Sequence, residues 1–358
     1  MTTPQRLRRA GLAAAAALVI GGSGVAIGAA ATDSSASGTT AAATATATPG
    51  PATPGPASYA SVVRQVLPSV VLIRTESGLG SGVVLDRSGN IVTNAHVAGN
   101  ATKFQVQVAG DTAPRSARLV GTYPPDDLAV IRADNPAGLQ PATFGDSDKV
   151  QAGDVVLAIG NPLGLSGSVT QGIISATDRA VTEPSEDGSP AATLPGAIQT
   201  SAPINPGNSG GALVSTSGQV VGIPTLAAGS PQGGGQAQGI GFAIASNLAR
   251  DIATQIIDTG HVTNSHRAAL GAEVATVLGA DGSTGGVGVV TVTSGGGAER
   301  AGLRPGDVIK SVGSAQTPDT TALTQALAAA KPGDKVTVTI SRAGQDQDVQ
   351  VTLGELGG

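Results

Sequence analysis

The chain of 358 residues has no cysteine and no tryptophan, one methionine, two tyrosines and three phenylalanines. Without cysteine there is no disulfide, no thiolate metal site and no thiol nucleophile. With aromatic residues at 1%, any core must be assembled from Val, Ile, Leu and Ala. Basic residues are also few: 20 Lys and Arg stand against 25 Asp and Glu, for a net charge of −5. No basic run is long enough to follow a phosphate backbone, which argues against nucleic acid as a partner. Only three histidines are available for acid–base chemistry near neutrality. What is abundant is glycine, at 53 residues, which suits short strands joined by tight turns better than a helical bundle.

The chain is longer than one ordinary domain needs, and its composition changes along its length. Arg6, Arg8 and Arg9 precede an uncharged apolar stretch from Ala10 to Ala31. That pattern reads as a signal peptide, with Ala29-Ala30-Ala31 as small residues for cleavage, or as an N-terminal membrane anchor. Either way the rest of the chain is expected to be exported, secreted or tethered by that segment. Residues 32–58 are Ala, Thr, Pro and Gly with a single charge, a composition that buries too little to order itself, and read as an extended linker.

From Tyr59 onward, β-branched runs recur between turn signals: Val70 to Ile73, Gly82 to Leu85, Ile91 to Thr93, Phe104 to Val108, Leu128 to Ile131 and Val155 to Ile159. This spacing predicts an all-β barrel or sandwich. A helix follows, with Ser246 as the expected cap, Leu248, Ile252 and Ile256 on one face, and Gly260 as the stop. Thr263 to Arg267 reads as a second, shorter linker. Strands resume at Val287 to Val292, Val308 to Val312 and Val336 to Ile340, interrupted by a helix over about Thr320 to Ala330. The domains are therefore placed at 59–262 and 263–358.

Three short segments carry chemistry. His96 ends an apolar strand in Thr93-Asn94-Ala95-His96-Val97, while His261 and His266 read as solvated. Asp126-Asp127 precede the buried run Leu128-Ala129-Val130-Ile131. Ser209 lies in Asn205-Pro206-Gly207-Asn208-Ser209-Gly210-Gly211, where flanking glycines expose the hydroxyl and let the backbone bend. Each alone is weak, but together they form a set. A serine nucleophile needs a base, histidine is the suitable one near neutral pH, and the histidine needs a carboxylate to fix its tautomer. His, then Asp, then Ser is the chain order of chymotrypsin-type proteases.

These runs, with Gly239-Ile240-Gly241-Phe242-Ala243-Ile244, resemble the HtrA-like (Deg-type) serine proteases from about Tyr59 to the end. The resemblance implies a mainly β fold, a two-lobed chymotrypsin-like double β-barrel protease domain followed by a small α+β PDZ domain. It implies that Ser209 attacks the scissile carbonyl, that His96 moves the proton, and that Asp127 orients His96, with Asp126 the alternative. The N–H groups of Gly207 and Ser209 would form the oxyanion hole. Thr225, Leu226 and Ala227, with Ile240, Gly241 and Phe242, would wall a pocket for a small or medium aliphatic side chain. Pro203 stands where a trypsin-like enzyme has an Asp that reads Lys or Arg. Asn208 stands where pancreatic-type enzymes have an Asp that pairs with a new N-terminus, so control must come from loop ordering. Ser201, Pro203, Pro224 and Tyr123 depart from the family's usual residues.

Leu270-Gly271-Ala272, Ala298 to Ile309 and the helix around Leu323 look like a PDZ domain. A peptide C-terminus would add a strand beside Leu270 to Ala275, its carboxylate held near Ala269, Leu270, Gly271 and Ala272. The implied partners are unfolded polypeptides, peptide C-termini and a homotrimer, for which Tyr59 is the aromatic residue available near the domain start. No metal and no organic cofactor are implied. The competing reading is a peptide-binding chaperone or adaptor with a silent protease domain.

Overall fold

A computed structural model describes residues 58–76, 78–161, 167–183, 192–205, 207–229, 236–279 and 282–357, with the backbone alone at 182–183, 192, 226–229 and 236–238. The expected leader at 1–31 and the linker up to residue 57 lie outside the described residues.

The first described element is a helix that the sequence pattern did not announce. Ser58 caps it by accepting the Ser61 N–H, and α1 (Tyr59–Val66) buries Val62 and Val66, one turn apart. Six strands then close a barrel: β1 (Val70–Arg74), β2 (Leu79–Val84), β3 (Asn90–Thr93), β4 (Lys103–Val108), β5 (Arg115–Tyr123) and β6 (Leu128–Ala133), in the order β1-β2-β3-β6-β5-β4. A one-turn helix, α2 (Ala95–Ala98), follows β3. A second barrel repeats the plan with β7 (Val155–Gly160), β8 (Ser168–Glu183), β9 (Ala192–Thr200), β10 (Ala212–Ser215), β11 (Val220–Gly229) and β12 (Gln236–Ala245), ordered β10-β11-β12-β9-β8-β7.

Strand periodicity divides the aliphatic residues among the cores. On β1, Val71 and Ile73 join a buried cluster with Phe104 and Val106, while Val70 faces the other way. On β7, Val156 and Ala158 join Ile174, Ile198 and Leu213, whereas Leu157 and Ile159 belong to a cluster that also holds Val83, Val92 and Val130 of the first barrel. The barrels are thus packed face to face through a shared aliphatic core. At roughly 25 cal/mol per Å² of apolar surface buried, such packing replaces what aromatic side chains would otherwise supply.

Helix α3 (Ser246–Thr259) lies on this shared core through Ala249, Ile252, Ala253 and Ile256, and ends at Gly260 in the left-handed region, φ 82°. The capping expectation needs correction. The N-cap residue is Ala245, because β12 runs directly into the helix. The Ser246 hydroxyl instead donates to the Gly145 carbonyl at 3.0 Å, and the Asn247 N–H finds Ser147 Oγ at 3.1 Å.

The C-terminal domain is a five-stranded path, β14 (Ala272–Leu278), β15 (Thr284–Val292), β16 (Val308–Val312), β18 (Lys335–Arg342) and β19 (Gln345–Thr352), with β17 (Ala315–Gln316) paired to β16. A short ladder joins β13 (Ala268–Ala269) to β20 (Gly354–Glu355). The one-turn helix α4 (Gly297–Arg300) precedes β16. Helix α5 (Thr320–Ala328) is capped by Asp319, whose carboxylate accepts the Ala322 N–H at 2.8 Å, and buries Leu323 in the domain core. It ends two residues earlier than the sequence suggests.

Candidate active site

His96 and Asp127 are set on neighbouring turns of the first barrel. Asp127 follows a single 3-10 turn, Pro124–Asp126, and adopts the left-handed region at φ 51°, ψ 42°. Asp tolerates this conformation better than most residues. The turn is tied to the histidine segment by its backbone. The Asp127 carbonyl accepts the Ala95 N–H at 3.0 Å and Asn94 Nδ2 at 3.1 Å. The carboxylate then grips the histidine at two points: Oδ1 accepts the His96 backbone N–H at 2.9 Å, and Oδ2 lies 2.8 Å from Nδ1. An Nδ1–H aimed at a carboxylate leaves Nε2 as the basic nitrogen. Thr225 Oγ1 also donates to Asp127 Oδ2, at 2.5 Å.

Asp126, the alternative from the sequence, points elsewhere. Its side chain is fully buried, and its Oδ1 accepts Arg267 Nη1 at 2.9 Å. Burial pushes its pKa up to about 6, against the opposing pull of the Arg267 guanidinium. Arg267 comes from the segment between α3 and β13 and also donates to the Pro125 carbonyl at 2.6 Å. The domain-joining segment therefore reaches the turn that presents Asp127.

Ser209 arrives from the second barrel, just before β10. Its flanking glycines are sterically required: a Cβ on Gly210, at φ 76°, would collide with the Ser81 carbonyl and Thr93 Oγ1, and one on Gly211 with the Ile159 carbonyl. The loop is held by Asn208 N–H to Asn205 O at 3.0 Å, Gly210 N–H to Pro224 O at 2.9 Å and Gly211 N–H to Asn208 O at 2.9 Å. Asn208 is buried, and its amide reaches the Pro203 carbonyl at 3.3 Å. Ser209 Oγ donates to the Thr225 carbonyl at 3.0 Å. The N–H groups of Gly207 and Ser209 find no acceptor among the described residues, which suits them to receive a developing oxyanion.

The expected pocket residues divide. Thr225 is buried and turns its hydroxyl to Asp127 rather than to a pocket wall. Phe242 belongs to the core cluster shared by the barrels, because it has the same strand parity as Ile244. Ile240 is exposed, and Gly241 lies against Ile204. The backbone of Leu226 and Ala227 pairs with Phe242 and Gly241; their side chains lie outside the described residues. Sequence reasoning missed Ser81 and Arg267. The signal for Ser81 was its place between two glycines inside a strand, a mark of close backbone approach.

In the C-terminal domain, a groove of about 790 Å³ runs between β14 and α5, lined by Leu270, Ala272, Val274, Leu323 and Leu327. Ala269 and Gly271 lie at the same end, and Pro124 and Pro125 of the protease turn also line it. The carbonyls of Leu270 and Gly271 are used by Ala298 and Thr293 N–H groups. His261 and His266 are exposed, as expected, and His266 stands at the groove's edge.

Residues 80–223 match the family described as trypsin-like peptidase domain, and residues 263–353 match the PDZ domain family. Fold and site together define a chymotrypsin-like serine peptidase domain followed by a PDZ domain. The chain is 39% identical over 317 residues to the serine protease PepD of Mycobacterium tuberculosis, covering 83% of this chain and 66% of that protein. It is 35% identical over 330 residues to the periplasmic pH-dependent serine endoprotease DegQ of Escherichia coli, covering 83% and 70%. Among solved structures, the HtrA-type protease AlgW with a decapeptide is 34% identical with a TM-score of 0.55, covering 84% of this chain and 99% of that one. The chain belongs to the HtrA family of serine proteases. It spans about two thirds of the length of the two curated relatives.

Proposed function

We propose that the protein is a serine endopeptidase that cleaves unfolded or damaged exported polypeptides through His96, Asp127 and Ser209. The observation that carries this reading is the double grip of Asp127 on His96, at 2.9 and 2.8 Å, beside a serine held in a glycine-lined loop. On substrate binding the Ser209 hydroxyl turns from the Thr225 carbonyl to His96 Nε2. Oγ attacks the scissile carbonyl as its proton passes to Nε2, and Asp127 balances the imidazolium charge. The new oxyanion is received by the N–H groups of Gly207 and Ser209. His96 returns the proton to the departing amine, and water, activated by the same histidine, then releases the acyl group. An aliphatic side chain before the cleaved bond fits the apolar residues Ile204, Ile240 and Gly241, which offer Lys or Arg no charge partner.

The groove between β14 and α5 takes a peptide C-terminus by strand addition, with the carboxylate on backbone N–H groups near Ala269 to Ala272. Periplasmic relatives and the apolar N-terminal segment favour an extracytoplasmic location. Among the described residues no helix is long and apolar enough to cross a membrane. A trimer would use the exposed Tyr59 on α1.

The test is casein cleavage by the full chain and by S209A, with and without peptides ending in a hydrophobic carboxylate. Cleavage lost in S209A and stimulated by peptide is the expected result. Peptide binding with no cleavage under any condition would replace this reading with that of an adaptor.

A further inference from the structure

Ser81 lies on β2 in the first barrel, fully buried, yet three of its four polar contacts among the described residues are with the second barrel. Its Oγ donates to the Gly207 carbonyl at 2.6 Å and accepts the Asn161 N–H, beyond the end of β7, at 2.8 Å. Its backbone N–H donates to the Ser209 carbonyl at 2.9 Å. Its own carbonyl accepts Thr93 Oγ1 at 2.6 Å, from the strand that leads to His96. One residue therefore fixes a carbonyl on each side of the loop's turn: that of Gly207, two positions before the nucleophile, and that of Ser209 itself.

We propose that Ser81 is a positioning residue for the oxyanion hole, holding the 207–209 backbone so that the N–H groups of Gly207 and Ser209 converge on one point. The physical reason lies in the peptide planes. The Ser209 N–H belongs to the plane between Asn208 and Ser209, bounded on either side by the two planes that Ser81 pins. Gly207, at φ 104°, has no side chain to restrict rotation, so without the hydroxyl its carbonyl loses its donor and the plane is held only at its other end, by the Asn208 N–H on the Asn205 carbonyl at 3.0 Å. The neighbouring N–H is then misaimed. The oxyanion exists only on the way to the tetrahedral intermediate, so this support acts on the transition state and not on substrate binding. Ser81 also joins the Ser209 loop to the Thr93–His96 segment, so the spacing of nucleophile and base depends on the same contact. This proposal rests on the reading of Ser209 as the nucleophile.

The experiment compares the full chain with S81A and S81C on a fluorogenic peptide, together with inhibition by a peptide boronate, which forms a tetrahedral adduct on serine. The expected result for S81A is a fall in kcat of about tenfold or more with KM within about twofold, and a loss of boronate affinity by the same factor. S81C keeps a weaker donor in nearly the same volume and should fall between, which also serves if S81A does not fold. Equal kcat and equal boronate affinity across the three proteins would overturn the proposal. So would a loss of thermal stability with no change in either constant. A wild-type chain that neither cleaves the peptide nor binds the boronate would overturn the reading of Ser209, and this proposal with it. A wild-type chain that does both while S81A matches it would overturn the Ser81 proposal alone.

Discussion

The Asp126–Arg267 pair makes a prediction whose size can be worked from the structure. Both side chains are buried, at 0% and 8% exposure, and they join the turn before Asp127 to the segment leading into the PDZ domain. The Asp126 pKa rises from 3.8 to about 6 on folding. A shift of that size corresponds to about 3 kcal/mol that the ionised carboxylate takes from stability at neutral pH. The folded pKa lies above the unfolded one, so the folded protein holds the extra proton between about pH 4 and pH 6. Stability from this group therefore falls as pH rises through that window and is level above it. Removing one partner is worse than removing both: D126N leaves a buried guanidinium without its anion, and R267M leaves a buried carboxylate without its cation. Each single substitution should cost about 3–5 kcal/mol at pH 8, while D126N/R267M together should cost clearly less than the sum of the two. R267M has a further signature. The orphaned carboxylate can take up a proton, so its deficit should shrink on going from pH 8 to pH 5. Thermal unfolding of the four proteins at both pH values measures this. Additive losses in the double variant, or an R267M deficit independent of pH, would refute the account of a compensated buried charge.

Other perturbations follow from the same geometry. G210A places a methyl group against the Ser81 carbonyl and Thr93 Oγ1 at a positive φ; cleavage should be abolished and the melting temperature should drop, by calorimetry and a casein assay. T225V keeps the side-chain shape but removes the hydroxyl bonded to Asp127 Oδ2; a charge-assisted hydrogen bond is worth about 1.5–3 kcal/mol, so kcat on a fluorogenic peptide should fall by about ten- to a hundredfold with KM little changed. In the PDZ domain, hydrogen bonds from Arg342 hold the Asp307 pKa below the usual carboxylate range. Stability from that pair is present above the unfolded pKa of Asp and is lost as pH falls through the lower folded value. D307N should therefore lower the domain's melting temperature at neutral pH and narrow the gap to wild type in strong acid.

The elements legible in the sequence are those whose residues are chosen by burial. The runs at Val70, Ile91, Leu128 and Val155 are buried on both faces, inside a barrel on one side and against the other barrel on the other. Such strands read as continuous apolar stretches. Strands β5, β8 and β9 were not legible. Much of β8 is exposed, with Gln171, Thr177, Asp178 and Arg179 along it, and its strand conformation comes from ladders with β7 and β9 rather than from its own pattern. Helix α1 was missed because it is only eight residues long and its buried residues are valines, which carry little helix preference. Only Ser58, followed by Val62 and Val66, marks it as a capped amphipathic turn.

The site shows a similar division, for a related reason. His96, Asp127 and Ser209 could be picked out because the proposed reaction would demand those residue types, whatever surrounds them. Their supports could not, because a support is defined by what it touches on a distant segment of the chain. Ser81 reaches Gly207, Thr225 reaches Asp127, and Arg267 reaches Asp126, each over more than 90 residues of chain. In a serine, a threonine and an arginine read one at a time, nothing distinguishes these from solvated side chains. What linear reading does retain is the negative imprint of such contacts. Gly80 and Gly82 flank Ser81, and Gly210 and Gly211 follow Ser209. At each of the four a Cβ would strike a neighbour from another element. Gly80 and Gly82 mark close side-chain packing within the first barrel, against Val97 and against Ile91 and Ile73, while Gly210 marks where the Ser209 loop meets the backbone of the first barrel at the Ser81 carbonyl. The arrangement of His96, Asp127 and Ser209 is a property of the junction between the barrels, held by Ser81 on Gly207 and Thr225 on Asp127, rather than of either barrel alone.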